Sequence, residues 1–99
     1  MALETTPFDA AEYLHSEEDQ AEYLSIAFES GNEGAIKKAL STVARARGMS
    51  AVASEASITR QALYKSLSEA GDPKLSTLLG VVKALGFQVT IQKPISASV

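Results

Sequence analysis

Residues 50–67 read SAVASEASITRQALYKSL, and this stretch has the spacing of a helix-turn-helix. Val52, Ala53 and Ala56 would form the inner face of a short first helix, because residues three and four apart lie on one side of a helix. Their side chains are small enough to let a second helix approach closely. The stretch therefore predicts two short helices that pack against each other.

The second helix has both a buried anchor and a start signal. Leu63 and Leu67 are four residues apart, so they would share the inward face. Ser57 lies in the turn, at a position where many such motifs have glycine. Thr59 is a good N-cap, because its hydroxyl can accept a hydrogen bond from an unpaired backbone N–H of the first turn. These signals place the start of the second helix at Arg60.

The outer face of this second helix has side chains suited to contact with DNA. With the leucines facing inward, Arg60 and Gln61 lie in the first turn, the part of a recognition helix that enters the major groove. Arginine can bond guanine bidentately, and glutamine can bond adenine. We therefore predict that the motif reads double-stranded DNA. The predicted DNA contacts are Thr59, Arg60, Gln61, Tyr64 and Lys65 in the motif, and Lys38 and Lys74 outside it.

Charged residues are segregated along the chain by sign. Residues 1–36 have nine acidic residues and no lysine or arginine, whereas residues 37–99 have all nine basic residues and three acidic ones. The two parts have formal charges of −9 and +6, which give the net −3 of the chain. Runs of charge are usually solvated helix faces, but complete segregation by sign is harder to explain by solvation alone. Because a duplex responds to the field within about 8 to 10 Å, the acidic total does not exclude DNA binding.

The length of 99 residues allows one hydrophobic core of four or five helices. We expect an all-α fold with five helices. Its predicted parts are an acidic N-terminal helical arm at residues 1–31, a helix-turn-helix domain at residues 32–93 and a disordered tail at residues 94–99.

Cap residues and glycines define the predicted helix ends. The last helix would bury an apolar face that consists of Leu75, Leu78, Leu79, Val82 and Leu85. The predicted N-caps are Asp9, Ser16, Asn32, Thr59 and Ser76, and the predicted helix ends are Gly31, Gly48 and Gly86.

The segment FQVTIQ, residues 87–92, alternates apolar and polar side chains, which is the period of a half-buried β-strand. A lone strand has unpaired N–H and C=O groups and needs a partner. Pairing across a two-fold axis would make a homodimer through Phe87, Val89 and Ile91, and it would present two recognition helices to a palindromic operator. Extension of a partner protein's sheet is the alternative.

Several functional classes lack support in the sequence. The chain has no cysteine and one histidine, His15, so we expect no disulfide, no metal site and no cofactor. The start MALETTPF lacks the basic and apolar parts of a secretory signal, and the apolar runs are too short for a membrane span. We therefore expect a cytoplasmic protein. No nucleophile and base stand at a recognisable catalytic spacing, and we expect no enzyme activity.

Longer segments of the chain carry a family resemblance. The run ITRQALYKSLSE, the turn GDP, the segment LSTLLGVVKALGFQVTI and the opening TPFDAAEYL together resemble the addiction-module antidote family. These are helix-turn-helix antitoxins of the HigA-like class, related to phage Cro and cI repressors. The resemblance implies a Cro/cI-like five-helix domain. Two positions depart from the family pattern, Ser57 in place of the turn glycine and Asp72 in place of an asparagine.

The resemblance also implies a protein partner. Such an antitoxin neutralises a small toxin, typically a basic RelE-type ribonuclease, and represses its own promoter. Helices rich in Glu and Asp could then cover the basic RNA-binding surface of the toxin by charge and shape. The candidate partner-binding residues are Tyr13, Glu17, Glu18, Tyr23 and Phe28.

Two other functions stay open at this point. A phage-like repressor without a toxin partner would share the fold and the DNA-reading residues. A helical adaptor would use the same surface for protein and never for DNA. The acidic arm separates the first alternative from an antitoxin, and the salt dependence of DNA binding separates the second.

Overall fold

The computed structural model describes residues 9–94, which form helices and connecting segments. The prediction of an all-α fold is confirmed for this part of the chain. The elements in chain order are the 3-10 helix η1 (Ala10–Tyr13) and the α-helices α1 (Glu17–Ser30), α2 (Glu33–Arg47), α3 (Met49–Glu55), α4 (Arg60–Ser66) and α5 (Leu75–Ala84).

Four of the predicted N-caps are confirmed. Each cap residue has extended backbone geometry, and its side-chain oxygen accepts a hydrogen bond from a backbone N–H that has no partner within the helix. The caps are Asp9, Ser16, Asn32 and Thr59, which accept from the N–H groups of Ala11, Asp19, Ala35 and Ala62 at 2.8–3.1 Å.

The predicted cap at Ser76 is wrong. Helix α5 begins at Leu75, after Lys74 in an extended conformation, and no side chain caps it. Ser76 therefore lies within the first turn, where its backbone is already helical.

The helices pack in a branched order around α2 and α3. Helix α2 contacts η1, α1 and α3, and α3 in turn contacts α4 and α5. The buried apolar side chains form one cluster, to which the acidic helix α1 contributes Leu24 and Ala27. The acidic part of the chain from Asp9 onward therefore shares its core with the basic part.

The buried face of α5 differs in part from the prediction. Val81, Val82 and Leu85 are buried, as expected for two of the three, but Leu75 and Leu79 are 69% and 40% exposed. The buried residues and the exposed leucines both have the spacing of one helix face, so the sequence alone does not distinguish them. The position of α3 against α5 selects which set is covered.

The predicted C-terminal β-strand is wrong, because no strand occurs among residues 9–94. Phe87 instead completes the end of α5: its N–H donates to the Val82 carbonyl at 3.1 Å, and the Gly86 N–H donates to the Lys83 carbonyl at 2.9 Å. This pair of bonds is the Schellman pattern, in which an apolar residue after the helix packs back onto it. Phe87 packs against the core, whereas Val89 and Ile91 are 46% and 97% exposed. The predicted disorder of residues 94–99 lies outside the described residues except at Pro94.

None of the described helices is both long enough and apolar enough to cross a membrane.

Arg47, the last residue of α2, joins three parts of the fold. Its Nε donates to Oε1 of Gln20 at 2.6 Å, and Gln20 is itself only 3% exposed. Its Nη2 donates to the Leu85 carbonyl at 2.8 Å, and its guanidinium lies 5.6 Å from the centre of the Phe87 ring. Nε2 of Gln20 donates to the Leu14 carbonyl at 2.9 Å. One side chain therefore fixes α1, the end of α5 and the segment after it.

We expect Arg47→Lys to lower the free energy of unfolding by about 2 kcal/mol, because one ammonium cannot reproduce two divergent guanidinium bonds and hydrogen bonds to charged groups contribute about 1.5–3 kcal/mol. Arg45→Lys is the matched control. Arg45 pairs with Asp9 at 3.2 Å, and both side chains are more than a third exposed. Such a pair contributes about 0–1 kcal/mol. Urea unfolding measures both variants, and equal losses would contradict the role given to Arg47.

Candidate nucleic-acid interface

Helices α3 and α4 are joined by a short connection whose backbone is bonded back to α3. The N–H groups of Ala56, Ser57 and Ile58 donate to the carbonyls of Val52, Ser54 and Ala53 at 2.9–3.1 Å. Ser57 has φ +63°, and it is the one non-glycine residue with positive φ among the described residues. The turn thus requires the left-handed conformation that glycine adopts without strain, and this chain meets the requirement with serine.

Two buried leucines set the rotation of α4. Leu63 is fully buried and Leu67 is 4% exposed, as predicted from their spacing. Helix α4 therefore turns its other side to solvent. The predicted DNA contacts on this exposed surface are Thr59, Arg60, Gln61, Tyr64 and Lys65.

Arg60 and Tyr64 interact on the exposed face of α4. The guanidinium carbon of Arg60 lies 5.3 Å from the centre of the Tyr64 ring. Nη2 of Arg60 is also 3.5 Å from the Tyr64 hydroxyl, at the long limit for a hydrogen bond. Tyr64 is 42% exposed. The two side chains are one turn apart and form a pair that presents a cation at the start of the helix.

The loop after α4 lies close against the backbone at the end of α4, and a lysine from α2 also holds it in place. A Cβ at Gly71 would collide with the carbonyl oxygens of Lys65 and Ser66, so only glycine fits there. Nζ of Lys37 donates to the carbonyls of Glu69 and Gly71 at 3.0 and 2.5 Å. Lys37 on α2 therefore fixes the segment that follows α4. Sequence reasoning did not give Lys37 this role, because no local pattern links residues more than thirty positions apart.

Lys37 and Lys38 are adjacent but have different surroundings. Lys38 is exposed, and it makes no side-chain hydrogen bond or ion pair within the part of the chain that the structure describes. Both lysines line an open groove of about 470 Å³ between α2 and the end of α4, together with Arg45 and Glu69. The ammonium group of Lys38 is thus available for the predicted DNA contact, whereas that of Lys37 has a structural role.

A second open groove lies between the end of α4 and the following loop, and its volume is about 270 Å³. Lys65 and Asp72 line it together. Asp72 therefore places a negative charge beside one of the predicted DNA contacts. Lys74, another predicted contact, is exposed immediately before α5.

The acidic helices expose a different surface. Glu17 and Glu18 are exposed in the first turn of α1, and Tyr13 on η1 is 63% exposed. Tyr23 and Phe28, also predicted as partner contacts, are half-buried against the core. The large apolar side chain that α1 exposes is Ile26, at 62%, which the sequence analysis did not single out. Ile26 is one helical turn from both Glu22 and Glu29. An apolar residue on the same helix face as two acidic ones was the sequence signal that could have identified it.

Within residues 9–94, no group of three or more His, Cys, Asp or Glu side chains is arranged to hold a metal ion.

Known sequences resemble this chain over most of its length. The family model described as probable addiction module antidote protein matches residues 4–93. An uncharacterized protein of Haemophilus influenzae is 42% identical over 93 residues, which cover 94% of this chain and 96% of the relative. No solved structure matches the chain. The similarity includes the acidic helices as well as the α3–α4 pair.

We expect Lys37→Met to lower the free energy of unfolding by about 1–2 kcal/mol, because the variant leaves the carbonyls of Glu69 and Gly71 without their charged donor. Lys38→Met is the matched control on the next residue of the same helix. An exposed substitution without a partner changes stability by about 0.5 kcal/mol or less. Thermal unfolding of both variants checks this contrast, and an unchanged Lys37→Met would mean that the loop does not need its lysine.

Proposed function

The chain belongs to the probable addiction module antidote family, and on that premise we propose that it is the antitoxin of a toxin–antitoxin operon. It binds and neutralises a small RelE-type ribonuclease toxin through its acidic helices. It also represses its own promoter through α3 and α4, which act as a helix-turn-helix. Both activities take place in the cytoplasm. Each depends on binding and requires no catalytic residue.

The observation that carries the DNA-binding proposal is the orientation of α4. Leu63 and Leu67 bury one side of the helix, and the other side exposes Arg60 and Gln61 in the first turn. This is the turn that a recognition helix places against base edges in the major groove. The guanidinium and the amide can each make two bonds to a purine edge. The exposed Lys38, Lys65 and Lys74 supply cations for backbone phosphates.

The DNA-bound form is proposed to be a homodimer on a palindromic operator, because two copies of a short recognition helix read two half-sites. Val89 and Ile91 are exposed apolar side chains available for the dimer contact. Phe87 packs against the core of its own chain, so it would hold the segment that carries Val89 and Ile91 in place instead of forming the centre of the dimer contact.

Charge supports the toxin-binding proposal. The exposed acidic residues of α1 are complementary in charge to the basic surface expected of a ribonuclease that binds messenger RNA. Ile26 and Tyr13 add exposed apolar area beside these carboxylates. Large side chains that become buried at the centre of an interface contribute most of its binding energy. We therefore include Ile26 with Tyr13, Glu17 and Glu18 in the partner-binding surface.

A repressor without a toxin partner is the second candidate. The packing of Leu24 and Ala27 into the shared core favours it, because this packing gives α1 a structural role that requires no toxin. For the same reason, removal of residues 1–30 would not separate the two functions, because it would expose the core as well as delete the partner surface. Point substitutions on the outer side of α1 separate the two functions.

We expect Arg60→Ala and Gln61→Ala each to reduce discrimination between the protein's own promoter duplex and a scrambled duplex by about 1–3 kcal/mol. Lys38→Ala and Lys65→Ala should instead weaken binding to both duplexes, and each should reduce the slope of log affinity against log salt by about one unit. Fluorescence anisotropy at several salt concentrations measures all four variants. Equal loss of discrimination in both pairs would contradict the assignment of base-reading residues, and absence of binding at low salt would contradict DNA binding altogether.

We expect Ile26→Asp to weaken binding to the product of the neighbouring reading frame by about 2 kcal/mol or more, because a charge would replace a buried apolar contact. Leu75→Asp is the matched control, since Leu75 on α5 is 69% exposed, close to the 62% of Ile26, and it lies far along the chain from the acidic helices. Co-expression with pull-down, followed by calorimetry, provides the measurement. If both variants bind like the unchanged protein, the surface is misplaced; if the unchanged protein binds no partner, the repressor function is favoured.

A further inference from the structure

The Arg60–Tyr64 pair suggests how the reading arginine is held before DNA arrives. A free arginine side chain loses rotamer freedom on binding, and a bidentate bond to guanine requires one orientation of the guanidinium plane. In this protein the guanidinium already lies over the Tyr64 ring, 5.3 Å from its centre. Part of the ordering cost is therefore met in the unbound protein.

The rest of α4 determines where Tyr64 lies on the helix surface. Leu63, the residue before it, is fully buried, and the Thr59 hydroxyl caps the helix through the Ala62 N–H at 3.0 Å. Tyr64 and Arg60 are one turn apart on a helix whose rotation is thus determined. The neighbouring pair at the same spacing, Gln61 and Lys65, makes no side-chain hydrogen bond within the described part of the chain.

The hydrogen-bonding capacity of Arg60 is compatible with this arrangement. A guanidinium has five N–H donors. The contact from Nη2 to the Tyr64 hydroxyl engages one of them, at 3.5 Å. Four donors stay available, and a guanine edge requires two.

We propose that Tyr64 is a positioning residue that orients Arg60 for the recognition of one guanine in the operator. This inference rests on the proposed DNA-binding function. Tyr64, which the sequence predicts as a DNA contact, then acts through Arg60 and does not itself read a base. Its ring matters more than its hydroxyl, because 5.3 Å to the ring centre is well within the range of a cation–π contact, whereas 3.5 Å to the hydroxyl is the long limit for a hydrogen bond.

The test is a double-mutant cycle with the full chain, in which Tyr64→Leu removes the ring and Tyr64→Phe keeps it. The probes are the protein's own promoter duplex and a scrambled duplex of equal length. We expect Tyr64→Leu to weaken promoter binding about two- to fivefold, the range of an exposed cation–π contact, without changing binding to the scrambled duplex. Tyr64→Phe keeps the ring contact and should therefore weaken promoter binding less than Tyr64→Leu does. In an Arg60→Ala background, Tyr64→Leu should have no further effect.

A second readout examines the free protein. Nitrogen-15 relaxation at Nε of Arg60 should show greater mobility in Tyr64→Leu, whereas the melting temperature should fall by only a few degrees, because the variant loses one exposed cation–π contact. A purely structural tyrosine would lower the melting temperature without this selective loosening of Arg60.

The outcomes are distinguishable. If Tyr64→Leu weakens promoter binding equally with and without Arg60, Tyr64 contacts DNA directly and the positioning role is wrong. If Tyr64→Leu binds and relaxes like the unchanged protein, the role is also wrong, while promoter binding itself still supports the proposed function. If the unchanged protein does not prefer the promoter duplex, the proposed function and this inference both fail.

Discussion

The fold depends on the side chain of Arg47 at the end of α2. This one cation joins the buried amide of Gln20, the carbonyl at the end of α5 and the ring of Phe87. A partly buried charge is tolerable because its donors are matched by good acceptors and because the guanidinium is weakly hydrated. The acceptors in turn would lose their own hydrogen-bond partner without it. The arrangement therefore makes α1, α2 and α5 mutually dependent.

That dependence has a functional consequence. The chain separates charge by sign, yet α1 and α2 pack together and share one core with the α3–α4 pair. Under the proposed function, a toxin that binds the outer side of α1 would touch a helix fixed to α2. Helix α2 also holds the loop after α4 through Lys37. The partner surface and the DNA-reading helix thus belong to one packed unit.

Local patterns in the sequence predicted the helical class, four of five N-caps and the inward direction of Leu63 and Leu67. They were sufficient because caps and helical faces depend on residues three or four positions apart. The same rules failed at Phe87, where alternation indicated a strand. The residue is used instead to close α5, since no extended segment among the described residues offers strand hydrogen bonds.

The sequence by itself determined which side of α4 faces outward and therefore that Arg60, Gln61, Tyr64 and Lys65 are exposed, because helix periodicity and a capping threonine act within a few residues. Only the tertiary structure decided that Lys37 is tied to a loop while Lys38 is available, and that Tyr23 and Phe28 pack inward while Ile26 is exposed. Adjacent residues of one type cannot be distinguished by local rules. Their surroundings come from segments far along the chain, and packing alone brings those segments together.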